Sequence, residues 1–205
     1  MTVGKPVQSL GAREARENLR ALGEDIADGK GPILILRDAQ PMAVLIQHAE
    51  AERWQRIDRA LWHLHGMRIL PELAHGASEI EAIVRGQREP TTAQLEAIDV
   101  VHDIGHFVRP IGISAARQRF AEVLDEVGTG RPRTLVTGGR LVATLIRPME
   151  YDRLMGLSRI VAWFKMHGLD LADTTDEASY AWLHDFRAGR RPDSADAEDT
   201  GSAIA

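Results

Sequence analysis

Cysteine is absent from the 205 residues, which removes disulfides, thiolate metal sites and cysteine nucleophiles at once. The eight histidines offer two close groupings. His63 and His65 are two apart in a stretch of helical periodicity, so they face different directions. His102-Asp103-Ile104-Gly105-His106 holds the residue types of a metal site, yet Gly105 falls at an expected helix end and a lone pair is more often a surface feature. Ser9 and Ser114 stand where strand-end or capping hydroxyls stand, and no motif places a His or Asp to activate them. No glycine loop of the phosphate-cradling kind occurs. The expectation is a chain with no catalytic residues, no metal and no cofactor: not an enzyme.

Arginine is the chemistry in supply. Of 25 basic residues only Lys5, Lys30 and Lys165 are lysines, and the guanidinium suits bidentate contacts to phosphate and guanine. Arg13, Arg16 and Arg20 stand three and four residues apart, on one helix face. Arg37 lies at a strand end, Arg117 and Arg119 on a second helix, Arg131 and Arg133 after it, and Arg140 in a hairpin. These nine are the candidate DNA-binding residues. The plainer reading is a solvated face, since Glu14, Glu17 and Glu24 can pair with the first three. The chain is −5 overall, but residues 111–147 are +3 and residues 165–205 are −5. Such a basic patch and acidic tail can serve two partners of opposite charge.

The elements that must hold these arginines occur twice. Pro41-Met42-Ala43-Val44-Leu45-Ile46 resembles Leu141-Val142-Ala143-Thr144-Leu145-Ile146 at an offset of 100. Upstream the offset is 101, where Ala15-Arg16 matches Ala116-Arg117, and a one-residue insertion in the turn after Gly29 absorbs the change. In each half a short strand (7–10, 111–113) precedes a helix expected over 12–28 in the first half, whose apolar face is Ala15, Leu19, Leu22 and Ile26. Its counterpart face is Ala116, Phe120, Val123 and Val127. Two apolar runs around Asp38-Ala39-Gln40, or Gly138-Gly139-Arg140, read as a hairpin. A further helix follows, with Trp54, Ile57, Leu61 and Leu64 inward, or Leu154, Leu157, Val161 and Phe164. The fold class is therefore α+β: two tandem units of strand, helix, hairpin and helix, each trailed by a helical or extended segment.

Those trailing segments suggest partner binding. Ile80, Ile83 and Val84 precede Arg85, and Tyr180, Trp182, Leu183 and Phe186 precede Arg187, Arg190 and Arg191. A short amphipathic helix followed by basic residues can lie in a partner's groove, with Trp182 and Phe186 as anchors; packing onto its own domain is the alternative. The expected organisation is a first unit over 1–65, a first partner-binding segment over 66–90, a linker helix over 91–106, a second unit over 107–167, a second partner-binding segment over 168–192 and a disordered tail over 193–205. No signal peptide or membrane-length apolar run is present, so a cytoplasmic protein without membrane contact is expected.

The ordered set resembles the Phd/YefM antitoxins. The first half has Glu14-Ala15-Arg16-Glu17-Asn18-Leu19, Ile35-Leu36-Arg37 and Pro41-Met42-Ala43-Val44-Leu45. The second has Ala116-Arg117 before Phe120, then Arg140-Leu141-Val142-Ala143-Thr144-Leu145 and Met149-Glu150-Tyr151. The first half lacks the tyrosine of the last motif and the glycines of the turn, and the second has Thr137 where the first has Arg37. The likeness fades beyond Gly66 and Gly168. What the resemblance implies is an antitoxin that binds and neutralises a toxin protein, a RelE-like ribonuclease or a Doc-like enzyme, and represses its own operon by binding double-stranded operator DNA. A family that works as a dimer further implies an intramolecular pseudo-dimer within this one chain, with a further homodimer as an added level. A stand-alone repressor without a toxin, and a protein inhibitor without DNA binding, are the alternatives.

Overall fold

The computed structural model describes residues 8–66, 77–89, 91–92 and 109–190. The first half runs β1 (Gln8–Gly11), α1 (Ala12–Glu17), α2 (Leu19–Ala27), β2 (Ile33–Arg37), β3 (Gln40–Gln47), α3 (His48–Gly66) and α4 (Ala77–Val84). The second runs β4 (Pro110–Gly112), α5 (Ile113–Gln118), α6 (Phe120–Gly128), β5 (Arg133–Thr137), β6 (Arg140–Ile146), α7 (Pro148–Met166) and α8 (Asp176–Arg187). The class is mixed α+β. The expected linker helix, apart from Thr91 and Thr92, lies outside the described residues, as do the 193–205 tail and the His102–His106 grouping.

Two compact units form, and each draws on both halves of the chain. One comprises Met1–Gln55 with Asp103–Leu154, the other Arg56–His102 with Met155–Ala205. The cut therefore runs across the sequential domains expected from the sequence, passing through α3 and α7.

In the first unit all six strands make one sheet, ordered β1-β2-β3-β6-β5-β4. The outer strands pair in parallel with β2 and β5, and the hairpins are antiparallel. The register is the same in both hairpins: Ile35 faces Ala43 and Leu135 faces Ala143, each followed at once by an irregularity. β3 and β6 join edge to edge, with Leu45 opposite Leu145. Alternation sends Ile33, Ile35, Ala43 and Leu45, with Leu135, Ala143 and Leu145, to one face. There they share a single apolar core with Leu19, Leu22 and Ile26 of α2 and Phe120, Val123 and Val127 of α6. Elsewhere in the unit, Thr144 lies 3.2 Å from both Thr134 Oγ1 and His48 Nδ1, and all three side chains are buried.

Local differences from the sequence reading have identifiable causes. The single first helix breaks at Asn18, and its counterpart breaks at Arg119, both residues leaving helical geometry. Asn18 Nδ2 donates to the Glu14 carbonyl at 3.1 Å, a side-chain bond that competes with the helix. Arg119 has no such side chain yet takes the same backbone. The break therefore follows the packing, which buries both Ala15 and Leu19, and both Ala116 and Phe120. The hairpin turns are two residues long, with φ of 51° and 63° at Asp38 and Ala39, and 53° and 77° at Gly138 and Gly139. Two consecutive positive values are the mark of a type I′ turn. Gln40 and Arg140, expected in the turns, open the following strands. Ile113, expected in a strand, opens α5.

The second unit is helical. Ile57, Leu61 and Leu64 of α3, Ile160 and Phe164 of α7, and Leu169 and Leu171 beyond it are all buried. Thr175 caps α8 by accepting from the Ala178 amide at 3.2 Å, and Asp176 and Glu177 in the first turn suit the helix dipole.

Candidate nucleic-acid interface

α1 and α5 meet on the first unit. Arg16 Nε donates to the Arg117 carbonyl oxygen at 2.9 Å. These are the residues that the 101-residue offset makes equivalent. Beside the contact lies an open groove of about 670 Å³. α1 contributes Ala12, Arg13, Arg16 and Glu17, the end of β2 contributes Arg37, and α5 contributes Arg117 and Gln118. Arg119 and the first turn of α6 close it, with Phe120 and Leu124 at the apolar base. Five arginines face two glutamates across this groove, so an anion is favoured there.

The nine arginines expected to contact DNA divide by what already holds them. Among the described residues neither Arg16 nor Arg117 sits in an ion pair, and both are exposed. Arg13 is paired with Glu17 at 3.2 Å, and Arg20 with Glu24 at 3.1 Å, outside the groove. Arg37 reaches Asp125 of α6 at 2.8 Å, spanning the two halves. Arg119 is bonded to Glu122 at 2.7 Å; that hydrogen bond, then the carboxylate's charge, holds the guanidinium proton more tightly. Arg133 is partly buried and held by Glu126. Arg131 and Arg140 are exposed but do not line the groove. Exposed pairs of this kind contribute little, so phosphates can compete for Arg13 and Arg119 at little cost. Gln118, which the sequence reading passed over, also lines the groove. Its signal was its place between Arg117 and Arg119, with an amide able to bond a base edge.

The trailing segments differ from expectation. Trp182, Leu183 and Phe186 are 1%, 5% and 3% exposed, so the expected partner anchors are inside their own unit. Trp182 Nε1 donates to the His167 carbonyl at 2.7 Å, and its ring stacks on Phe186 at 4.9 Å. Ile83 and Val84 are likewise buried. Arg85 lies 4.7 Å over the Phe186 ring and pairs with Glu81, while Arg187 Nε donates to the Val84 carbonyl at 2.8 Å. The physical reason is that the first half's segment supplies the apolar and carbonyl surface that a partner was expected to supply. Tyr180 stays on the surface, 63% exposed, and Arg190 pairs with Asp185 at 2.9 Å. That hydrogen bond, ahead of the opposing desolvation, lowers the Asp185 pKa. Ile80 stands within α4, and Arg191 lies outside the described residues.

Of the other candidates, Ser9 and Ser114 are exposed in β1 and α5. His63 Nδ1 lies 3.8 Å from Asp176, and among the described residues no three His, Asp or Glu side chains gather as for a metal. Among them too, no helix is long and apolar enough to cross a membrane.

The chain is 32% identical over 74 residues to the orphan antitoxin YefM of Salmonella typhimurium (strain LT2), a match that takes 35% of this chain and 99% of that protein. No family model and no solved structure matches it.

Proposed function

The chain belongs to the Phd/YefM antitoxin family, and from that premise we propose that it is the antitoxin of a toxin–antitoxin pair, a regulator rather than an enzyme, which neutralises its toxin by binding and represses its own operon by binding operator DNA. The toxin is a RelE-like ribonuclease or a Doc-like enzyme on this reading. The reading includes a pseudo-dimer made of two tandem units. In a twofold arrangement a residue meets its own counterpart only at the axis. Two such meetings support it: Leu45 opposite Leu145, and Arg16 against Arg117.

The observation that carries the DNA role is the pair Arg16 and Arg117, exposed, side by side and outside any ion pair among the described residues, at the mouth of an arginine-lined groove. Phosphate neutralisation by such groups makes affinity fall with salt. The test is fluorescence anisotropy of full-length protein on duplex DNA from upstream of its own reading frame, over a range of salt. The Arg16→Ala/Arg117→Ala chain should bind more weakly and lose about 1.8 units from the log–log salt slope, about 0.9 per phosphate contact. Equal affinity and slope for the two proteins would reject the site.

A stand-alone repressor is the second reading, and the burial of Trp182, Leu183 and Phe186 favours it, because the aromatics best suited to grip a toxin are already covered. Co-expression with the product of the neighbouring reading frame decides: a stable complex that suppresses that product's toxicity supports the antitoxin, and repression without any complex supports the second reading.

A further inference from the structure

We infer that the DNA this chain reads is not an inverted repeat: its two halves present different side chains to the two halves of a single site, so one chain occupies one asymmetric duplex in one orientation. This inference rests on the DNA-binding reading above. A dimer of identical subunits offers the same side chains twice, and its preferred site mirrors that symmetry. Here only the central pair is shared, Arg16 with Arg117, and those two touch. Outward from it the halves diverge. Arg13 corresponds to Ser114 and Arg20 to Ala121, so the second half lacks two guanidiniums of the first. Conversely, Arg119 stands where the first half has Asn18. All six are exposed, so these differences lie on the surface.

The flanks differ in shape as well. Arg37 bridges to Asp125 at 2.8 Å, but its counterpart is Thr137, and the counterpart of Asp125, Glu24, is taken by Arg20 at 3.1 Å. Beside the groove of about 670 Å³ there is a smaller concavity of about 290 Å³, which shares Arg16, Arg117 and Gln118 and has Ser114 as its fourth wall. Chemically, arginine suits guanine through O6 and N7, asparagine suits adenine, and serine or alanine reaches neither in that bidentate way. The two halves therefore favour different base steps.

The test selects duplexes with full-length protein from a pool carrying a random core of about 30 base pairs, enough for two half-sites a helical turn apart. The expected consensus has two half-motifs that are not inverted copies, with one chain bound per duplex. Either palindrome built from a single half-motif should bind roughly tenfold or more weakly. The Ser114→Arg/Gln118→Glu/Arg119→Asn/Ala121→Arg chain gives the second half the first half's residues at four exposed positions that bear no core packing. It should select a near-palindrome and keep its melting temperature. A palindromic consensus for the unaltered chain, equal affinity for the built palindromes, or two chains per site would overturn the inference and leave DNA binding standing. The unaltered consensus reappearing with the fourfold variant would overturn its assignment to these positions. Failure to enrich any duplex, even at low salt, would remove the DNA-binding reading itself.

Discussion

Asp38 and Ala39 hold a backbone that neither side chain favours, at φ of 51° and 63°, while Gly138 and Gly139 hold the same turn freely. A left-handed conformation costs an L-residue about 1–2 kcal/mol, less for aspartate. Ala39→Gly should therefore stabilise the chain by about 1 kcal/mol, read as a higher urea midpoint at unchanged slope. Gly139→Ala, with no atom within 4 Å of the added methyl, should lose a similar amount from backbone strain alone. A midpoint that stays put in both variants would show that the turns carry no strain. The turn residues were legible as a turn, but the alanine was not legible as strained, because the pairing register that demands a two-residue loop is a property of the strands. A second residue-scale outcome concerns Tyr151. Burial, then the charges of Glu50 and Asp152, raises its phenol above the ordinary value of 10.0. A raised folded value means its contribution to stability is complete below pH 10 and is lost as pH climbs through the folded value. The chain has two tyrosines, so in the Tyr180→Phe protein the native phenolate absorbance reports Tyr151 alone. Its midpoint should lie above 10, and one at or below 10 would contradict the burial.

Helices show most clearly which part of a fold can be read from spacing. The faces Trp54, Ile57, Leu61 and Leu64, and Leu154, Leu157, Val161 and Phe164, were legible from period alone, and all eight side chains are buried. α8 was legible as an amphipathic helix too, but an apolar face states only that it must be covered, not by what. Val84 and Phe186 belong to segments about a hundred residues apart, and nothing in either periodicity announces that Arg187 will bond the Val84 carbonyl. The first-helix break was hidden for a related reason: Asn18 and Arg119 share no chemistry, and only the core beneath them is common. The buried α8 leads to a definite expectation. Trp182→Ala removes a stacked ring and the bond to the His167 carbonyl, and should cost about 3–5 kcal/mol in denaturant unfolding. Unchanged stability with lost partner binding would restore Trp182 as an exposed anchor.

At the scale of the whole chain, the hundred-residue offset led to the expectation that the strands and first helices of the two halves pack as one continuous body, but not to which strands would meet, since the β3–β6 pairing is made by backbone groups that every sequence carries. With both edges supplied by one chain, folding does not wait on a second molecule. The melting temperature should therefore be independent of protein concentration, whereas a fall on hundredfold dilution would show that a second copy belongs to the folded state. The buried group of His48, Thr134 and Thr144 carries a different consequence. By the same offset its counterparts are Pro148, Leu34 and Val44, which cannot make those bonds. In an assembly of identical subunits any change beside the axis is made twice, so a polar group that suits one side must be endured on the other. On the two-copy reading this chain is heterozygous within itself: a mutation enters one side while the other keeps its old residue, and a buried histidine can be tried against two threonines without its mirror image ever arising.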